Sequence, residues 1–137
     1  MLQPSRRKYR KEFRGTMAGV SGRGHRLAFG DFGLKAMGCG WVSAAEIESA
    51  RRTITHHTKR LGKIYLRVFP HKPITKKAAG ARMGSGKADI HAYVAVIKPG
   101  TILFELAGIP KDMATEAMRL AAHKISVPTK FIAKDHA

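Results

Sequence analysis

Apolar positions repeat with a helical period in two stretches, alternate strand-like in several others, and lose all period in two long segments. From Ser43 onward, Ile47, Ala50, Ile54 and Leu61 fall on one side of a helix, and Arg51, Arg52, Thr55, His56, Lys59 and Arg60 sweep the other. Ser43 and Glu46 form an S-x-x-E capping box that satisfies free N–H groups at a helix start, so the spacing predicts a helix from Ser43 to about Arg60, ended by Gly62. Lys63 to Phe69 sets Ile64, Leu66 and Val68 against Lys63, Tyr65 and Arg67, which predicts a half-buried strand stopped by Pro70. Asp89 to Ile97 and Thr101 to Leu106 predict two more strands, and Pro99 with Gly100 between them predicts an antiparallel hairpin. Pro110 opens a second helix with Met113, Ala114, Ala117, Leu120 and Ala121 on its apolar face and Asp112 and Glu116 suited to the dipole at its start. Short strands are expected near Leu27 to Phe29 and Phe32 to Ala36, and a last one in Thr129 to Ala133. The expected fold class is α+β: one domain with a mixed or antiparallel sheet and two amphipathic helices.

The aperiodic segments are basic. Residues 1–26 hold Arg6, Arg7, Lys8, Arg10, Lys11, Arg14, Arg23 and Arg26 against Glu12 alone, with glycines interspersed. Such text cannot bury enough surface to offset its ordering entropy, so it is expected to be an extended arm that sets on binding. Residues 71–88 carry His71, Lys72, Lys76, Lys77, Arg82 and Lys87, three glycines and no acid, which reads as a long protruding loop from a domain spanning 27–137. Loops of this length without internal structure are uncommon in compact domains and are usually functional or disordered.

Charge narrows the partner. Lys and Arg number 26 against 9 Asp and Glu, so the fold repels itself unless a polyanion is near. Residues 1–100 hold 21 of the basic and 5 of the acidic side chains, whereas residues 101–137 hold 5 and 4, so the anion-binding surface belongs to the first hundred residues. In the first helix the acids Glu46 and Glu48 stand only in the opening turns, which leaves Arg51 to Arg60 without intrahelical partners downstream and favours phosphate binding over a merely solvated face. Cys39 is alone, which excludes an internal disulfide and fits a reducing compartment, with a small filler as its expected role. No apolar run reaches the length of a membrane span and the start lacks a secretion signal, so a soluble intracellular protein with no membrane partner is expected.

Enzymatic motifs fail on inspection. Gly80 to Ala88 resembles a phosphate-binding P-loop, but Ala81 and Ala88 stand where Gly and Ser or Thr are needed, and no helix follows. The seven histidines lack metal-ligand spacing, and the scattered carboxylates form no acid/base pair. No metal, cofactor or catalytic residue is expected. Three classes remain open to the charge pattern alone: a specific RNA-binding structural protein, an enzyme acting on nucleic acid or nucleotide, and a general nucleic-acid coat.

MLQPSRRKYRKEFRG at the start, FGDFGLKAM at 29–37, IESARRTIT at 47–55, GKIYLRVFPHKPIT at 62–75, ARMGSGK at 81–87 and VAVIKPGTILFEL at 94–106 together resemble the ribosomal protein L-sixteen family of the large subunit, over essentially the whole chain. The resemblance implies a hammerhead-like α+β fold, and a structural constituent that binds 23S rRNA beside neighbouring large-subunit proteins, in the cytoplasm or, if organelle-encoded, on an organellar ribosome. On that basis Arg6, Arg7, Lys8, Arg10, Lys11, Arg14, Arg23, Arg26, Lys35, Arg51, Arg52, Lys59 and Arg60 are expected on rRNA. Lys72, Lys76, Lys77, Arg82, Met83 and Lys87 are expected on a loop facing A-site and P-site tRNA near the peptidyl transferase centre.

Overall fold

The structure is a computed structural model that describes residues 2–4, 19, 21–22, 24–75 and 90–134. Among the described residues, seven strands and two helices follow one another as β1 (Phe32–Ala36), β2 (Gly40–Ser43), α1 (Ala44–His57), β3 (Lys63–Leu66), β4 (Lys72–Thr75), β5 (Ile90–Ile97), β6 (Ile102–Ala107), α2 (Lys111–Ala122) and β7 (Thr129–Ala133). They build two antiparallel sheets, one in the order β3-β6-β1-β7 and one in the order β2-β5-β4. The helices pack on each other, α1 also covering β2 and β5 and α2 covering β1 and β7. Ile47, Ala50 and Ile54 of α1 and Ala114, Ala117, Met118 and Ala121 of α2 join Leu34, Phe104 and Leu106 in one continuous core. The α+β class is borne out.

The hairpin expected at Pro99 and Gly100 does not form. Ile97 ends β5 opposite Gly40 of β2, and Ile102 starts β6 opposite Lys35 of β1, so the two strands belong to different sheets. Gly100 takes φ 96°, and its N–H donates to the Ala36 carbonyl at 2.7 Å while the Ala36 N–H donates to Thr101 at 2.8 Å. The Pro-Gly pair therefore bends the chain from sheet to sheet without reversing it, alongside the parallel step of the neighbouring strand through 37–39. β1 with β2 and β5 with β6 are thus two antiparallel runs crossing both sheets. Cys39 lies on that step and is exposed, so it is not the filler expected.

Other expectations shift for local reasons. Ser43 Oγ accepts the Glu46 N–H at 3.2 Å as the capping box requires, yet the Glu46 carboxylate accepts from Ser126, through its N–H at 3.2 Å and its hydroxyl at 3.0 Å, tying the helix start to the approach to β7. α1 ends at His57, three residues short of Arg60, and Leu61 is 56% exposed and off the apolar stripe because the helical period stops before it. Met118, omitted from the expected face of α2, is fully buried, while Met113 and Leu120 are half-buried. β2 was not expected, and β3 stops at Leu66, where β6 carries an extra residue, Leu103, between the partners of Leu34 and Lys35. Lys72 lies in β4, paired with Val94, and not in a loop.

No strand forms at Leu27 to Phe29, because those N–H groups go to a side chain. Glu105, on the central strand β6 and with no exposed surface, accepts the N–H groups of Ala28 at 3.0 Å, Phe29 at 3.0 Å and Gly30 at 2.9 Å on one oxygen. Its other oxygen accepts from Arg67, which also donates to the Arg26 carbonyl at 3.1 Å. A Cβ on Gly30 would lie 2.6 Å from the Leu106 carbonyl oxygen, so only glycine lets the backbone approach closely enough. Burial pushes the Glu105 carboxyl up, but the bonds from Gly30, Arg67, Phe29 and Ala28 outweigh it and hold the group below its ordinary 4.5. The ionised form therefore stabilises the fold above pH 4.5, and that contribution is lost as pH falls below 4.5 through the lowered folded-state value. Glu105→Ala, which strands three N–H groups and Arg67, is expected to lower the unfolding free energy by about 3–5 kcal/mol in urea titrations near neutral pH. In the same titrations run to acid, the loss of stability below pH 4.5 is expected to be smaller in Glu105→Gln than in the parent.

Candidate nucleic-acid interface

The cationic side of α1 is concentrated in its second half, downstream of Glu48. Arg51 Nε and Arg52 Nε each donate to the Glu48 carboxylate at 3.1 Å. The hydrogen bond from Arg51 leads in pulling the Glu48 carboxyl down to about 2, with Arg52 adding to the effect, so Glu48 stays an anion and offsets one of the two charges. Arg51 and Arg52 thus share one intrahelical partner, the upstream Glu48 at i−3 and i−4. Arg52 nonetheless keeps 76% of its side chain in solvent, against 37% for Arg51, so its guanidinium stays open to a second acceptor.

Past His57 the chain turns through two consecutive left-handed residues, Lys59 at φ 53° and Arg60 at φ 65°. The Arg60 N–H donates to Thr55 at 3.1 Å, the Lys59 N–H to His56 at 3.3 Å and the Leu61 N–H to Thr58 at 3.0 Å, which satisfies two carbonyls of the last helical turn and that of the capping residue. Thr58, nearly fully buried, anchors the turn by donating its hydroxyl to Ile54 at 2.9 Å. Left-handed geometry costs an L residue roughly 1–2 kcal/mol and is usually given to glycine. Here it is given to two exposed cations.

The turn folds Lys59 and Arg60 back beside the helix, so that Arg51, Arg52, Thr55, His56, Lys59 and Arg60 line one open concavity of about 610 Å³. A neighbouring groove of about 380 Å³ shares Arg51 and Arg60 and continues to Lys63 on β3. Lys63 was not among the expected contacts, because strand alternation reads it as an ordinary solvent-facing residue; its closeness to the cationic run, just past Gly62, was the available signal. The remaining expected positions are dispersed. Arg26 is exposed beside the Glu105 cluster, Lys35 is half-buried in β1 opposite Lys130, and Lys72 holds its Nζ 5.2 Å from the centre of the Trp41 ring. Arg6, Arg7, Lys8, Arg10, Lys11, Arg14, Arg23, Lys76, Lys77, Arg82, Met83, Lys87 and the P-loop-like string lie outside the described residues. Among the described residues, no group of three or more His, Cys, Asp or Glu side chains could hold a metal, and no helix is long and apolar enough to cross a membrane.

An open, cation-lined concavity without an acid/base pair suits a polyanion's backbone. Residues 4–132 match the family of ribosomal protein L16p/L10e. The large ribosomal subunit protein uL16c of Phaeodactylum tricornutum is 51% identical over 136 residues, covering 99% of this chain and 99% of the relative. The chain belongs to the ribosomal protein L16p/L10e family. It is a structural component of the large ribosomal subunit and not an enzyme, as the motifs in its sequence implied. The strained turn then separates stability from binding. Arg60→Gly is expected to raise the unfolding free energy by up to about 1 kcal/mol, since glycine relieves the left-handed strain at some cost in unfolded-chain entropy. The same variant is expected to weaken rRNA binding, with the slope of log affinity against log salt reduced by about 1.

Proposed function

We propose that this protein binds 23S rRNA through the concavity on α1, with Arg51, Arg52, Lys59 and Arg60 on one rRNA segment. The observation that carries the reading is the left-handed turn that places Lys59 and Arg60 with Arg51 and Arg52 around one opening, against the backbone's preference for glycine. Arginine suits the task because its planar fork bridges phosphate oxygens. Residues 1–26 act as a basic arm, with Arg6, Arg7, Lys8, Arg10, Lys11, Arg14, Arg23 and Arg26 threading into rRNA, and Lys35 adds a contact from β1. The acid-free segment after β4, with Lys76, Lys77, Arg82, Met83 and Lys87, faces A-site and P-site tRNA near the peptidyl transferase centre, as does Lys72 from the start of β4. Support for this last assignment is the composition of the segment and the family's resemblance. Catalysis then belongs to the RNA.

If six to ten phosphates are engaged, affinity for 23S rRNA is expected to fall by roughly 10³ to 10⁵ between about 50 and 200 mM salt, by analogy with counterion release from duplex DNA. Binding measured over that range checks this, and a salt-insensitive complex refutes it. Competition with excess duplex DNA, unrelated RNA and 23S rRNA itself separates specific rRNA binding from a general coat, which would be displaced equally by all three. Lys76→Ala with Lys77→Ala and Arg82→Ala is expected to leave rRNA affinity within a few-fold of the parent and to weaken tRNA binding to reconstituted subunits.

A further inference from the structure

We propose that Phe29, stacked on Tyr65, is a platform for an unpaired nucleobase of RNA, an inference that rests on the RNA-binding reading above and assigns it a second kind of contact. Phe29 is 62% exposed, and its ring centre lies 5.3 Å from that of Tyr65 with the planes 23° apart. An exposed phenylalanine gains little from its surroundings and is ordinarily free to move. This one is held. Its own N–H donates to the buried Glu105 carboxylate at 3.0 Å, the Arg67 guanidinium lies 5.3 Å from its ring centre, and Arg67 is itself fixed by Glu105 and the Arg26 carbonyl. A ring fixed before binding loses little conformational freedom when a ligand stacks on it.

The surroundings select the ligand. Lys63 holds its Nζ 5.7 Å from the Tyr65 ring centre and also borders the groove that leads to Arg60 and Arg51. Cations positioned for phosphates therefore pass into an aromatic stack along β3, the combination by which single-stranded RNA is bound: charge tracks the backbone and the ring takes a base. An apolar protein partner would cover Lys63 and exposed Arg26 without supplying acceptors, at a desolvation cost; a nucleotide brings its own phosphates. A base within a duplex cannot reach the ring.

Binding of the full chain to 23S rRNA, measured for the parent, Phe29→Leu and Phe29→Trp over about 50 to 200 mM salt, tests the platform. Phe29→Leu keeps the backbone bond to Glu105 and is expected to weaken binding at least about 5-fold at every salt concentration, with the parent's salt slope, since no ion pair is lost. Phe29→Trp, which keeps an aromatic face, is expected to bind as tightly as the parent. Parent-like affinity in Phe29→Leu, or an equal loss in both variants, overturns the platform and leaves the phosphate-binding face standing. Absent or salt-insensitive binding by the parent overturns the rRNA reading and the platform with it.

Discussion

A carboxylate with no exposed surface, at the centre of a four-stranded sheet in a protein with almost three times as many bases as acids, is the constraint around which one side of the molecule is arranged. Removing Glu105 from water would cost several kcal/mol if nothing replaced its hydration. Replacement comes from three consecutive backbone N–H groups and one guanidinium, and each donor imposes a consequence. The three N–H groups draw residues 28–30 across the outer face of the sheet and deny them a strand ladder. The guanidinium orders Arg67 under Phe29, and the approach of the backbone requires glycine at position 30. An ion pair is weak grounds for stability by itself, but here the same groups also fix the chain path into the domain, so their contribution is to specificity of structure as much as to free energy.

On the helical side the logic is different. α1 earns its place through a buried stripe of Ile47, Ala50 and Ile54, and its stability does not depend on the cations of the opposite face. Those cations are partly neutralised by Glu48 and then multiplied by a strained turn that adds Lys59 and Arg60. A turn optimised for stability would use glycine at those two φ values. Retaining side chains there accepts a destabilisation of order 1 kcal/mol per residue in a helix terminus whose carbonyls are otherwise well satisfied. Strain of this kind persists where a surface must present particular groups, which is consistent with a protein whose partner is a polyanion.

The two faces meet at β3. This is one of the two edge strands of its sheet, and a lysine such as Lys63, exposed at its start, discourages pairing of an edge with another chain. Because side chains two apart point the same way, Lys63 and Tyr65 share a face, with Tyr65 opposite Glu105 in register. One short strand thereby connects the cationic concavity, the aromatic stack and the buried carboxylate.

Periodicity and capping chemistry carried both helices and β1 and β7 to nearly their observed limits, because those elements are governed by local patterns: an S-x-x-E start, an apolar stripe, a proline before the first turn. Family membership was legible too, since six separate motifs stand in order along the chain. The cationic face of α1 followed from the helix period alone. What the tertiary structure decided were relations between distant residues. Pro99-Gly100 reads locally as a reversal, and only the presence of β1 and β2 as antiparallel partners makes it a step between sheets. Leu27 to Phe29 has strand composition, and only a carboxylate 75 to 77 positions away removes its N–H groups from any ladder. Lys59, Arg60 and Lys63 appear in sequence as a helix end and a strand start; the left-handed turn brings them to adjoining surfaces. Local sequence determined which elements form and where charge accumulates, because those depend on neighbours a few residues away. Which partner each buried polar group finds depends on closure of the whole chain.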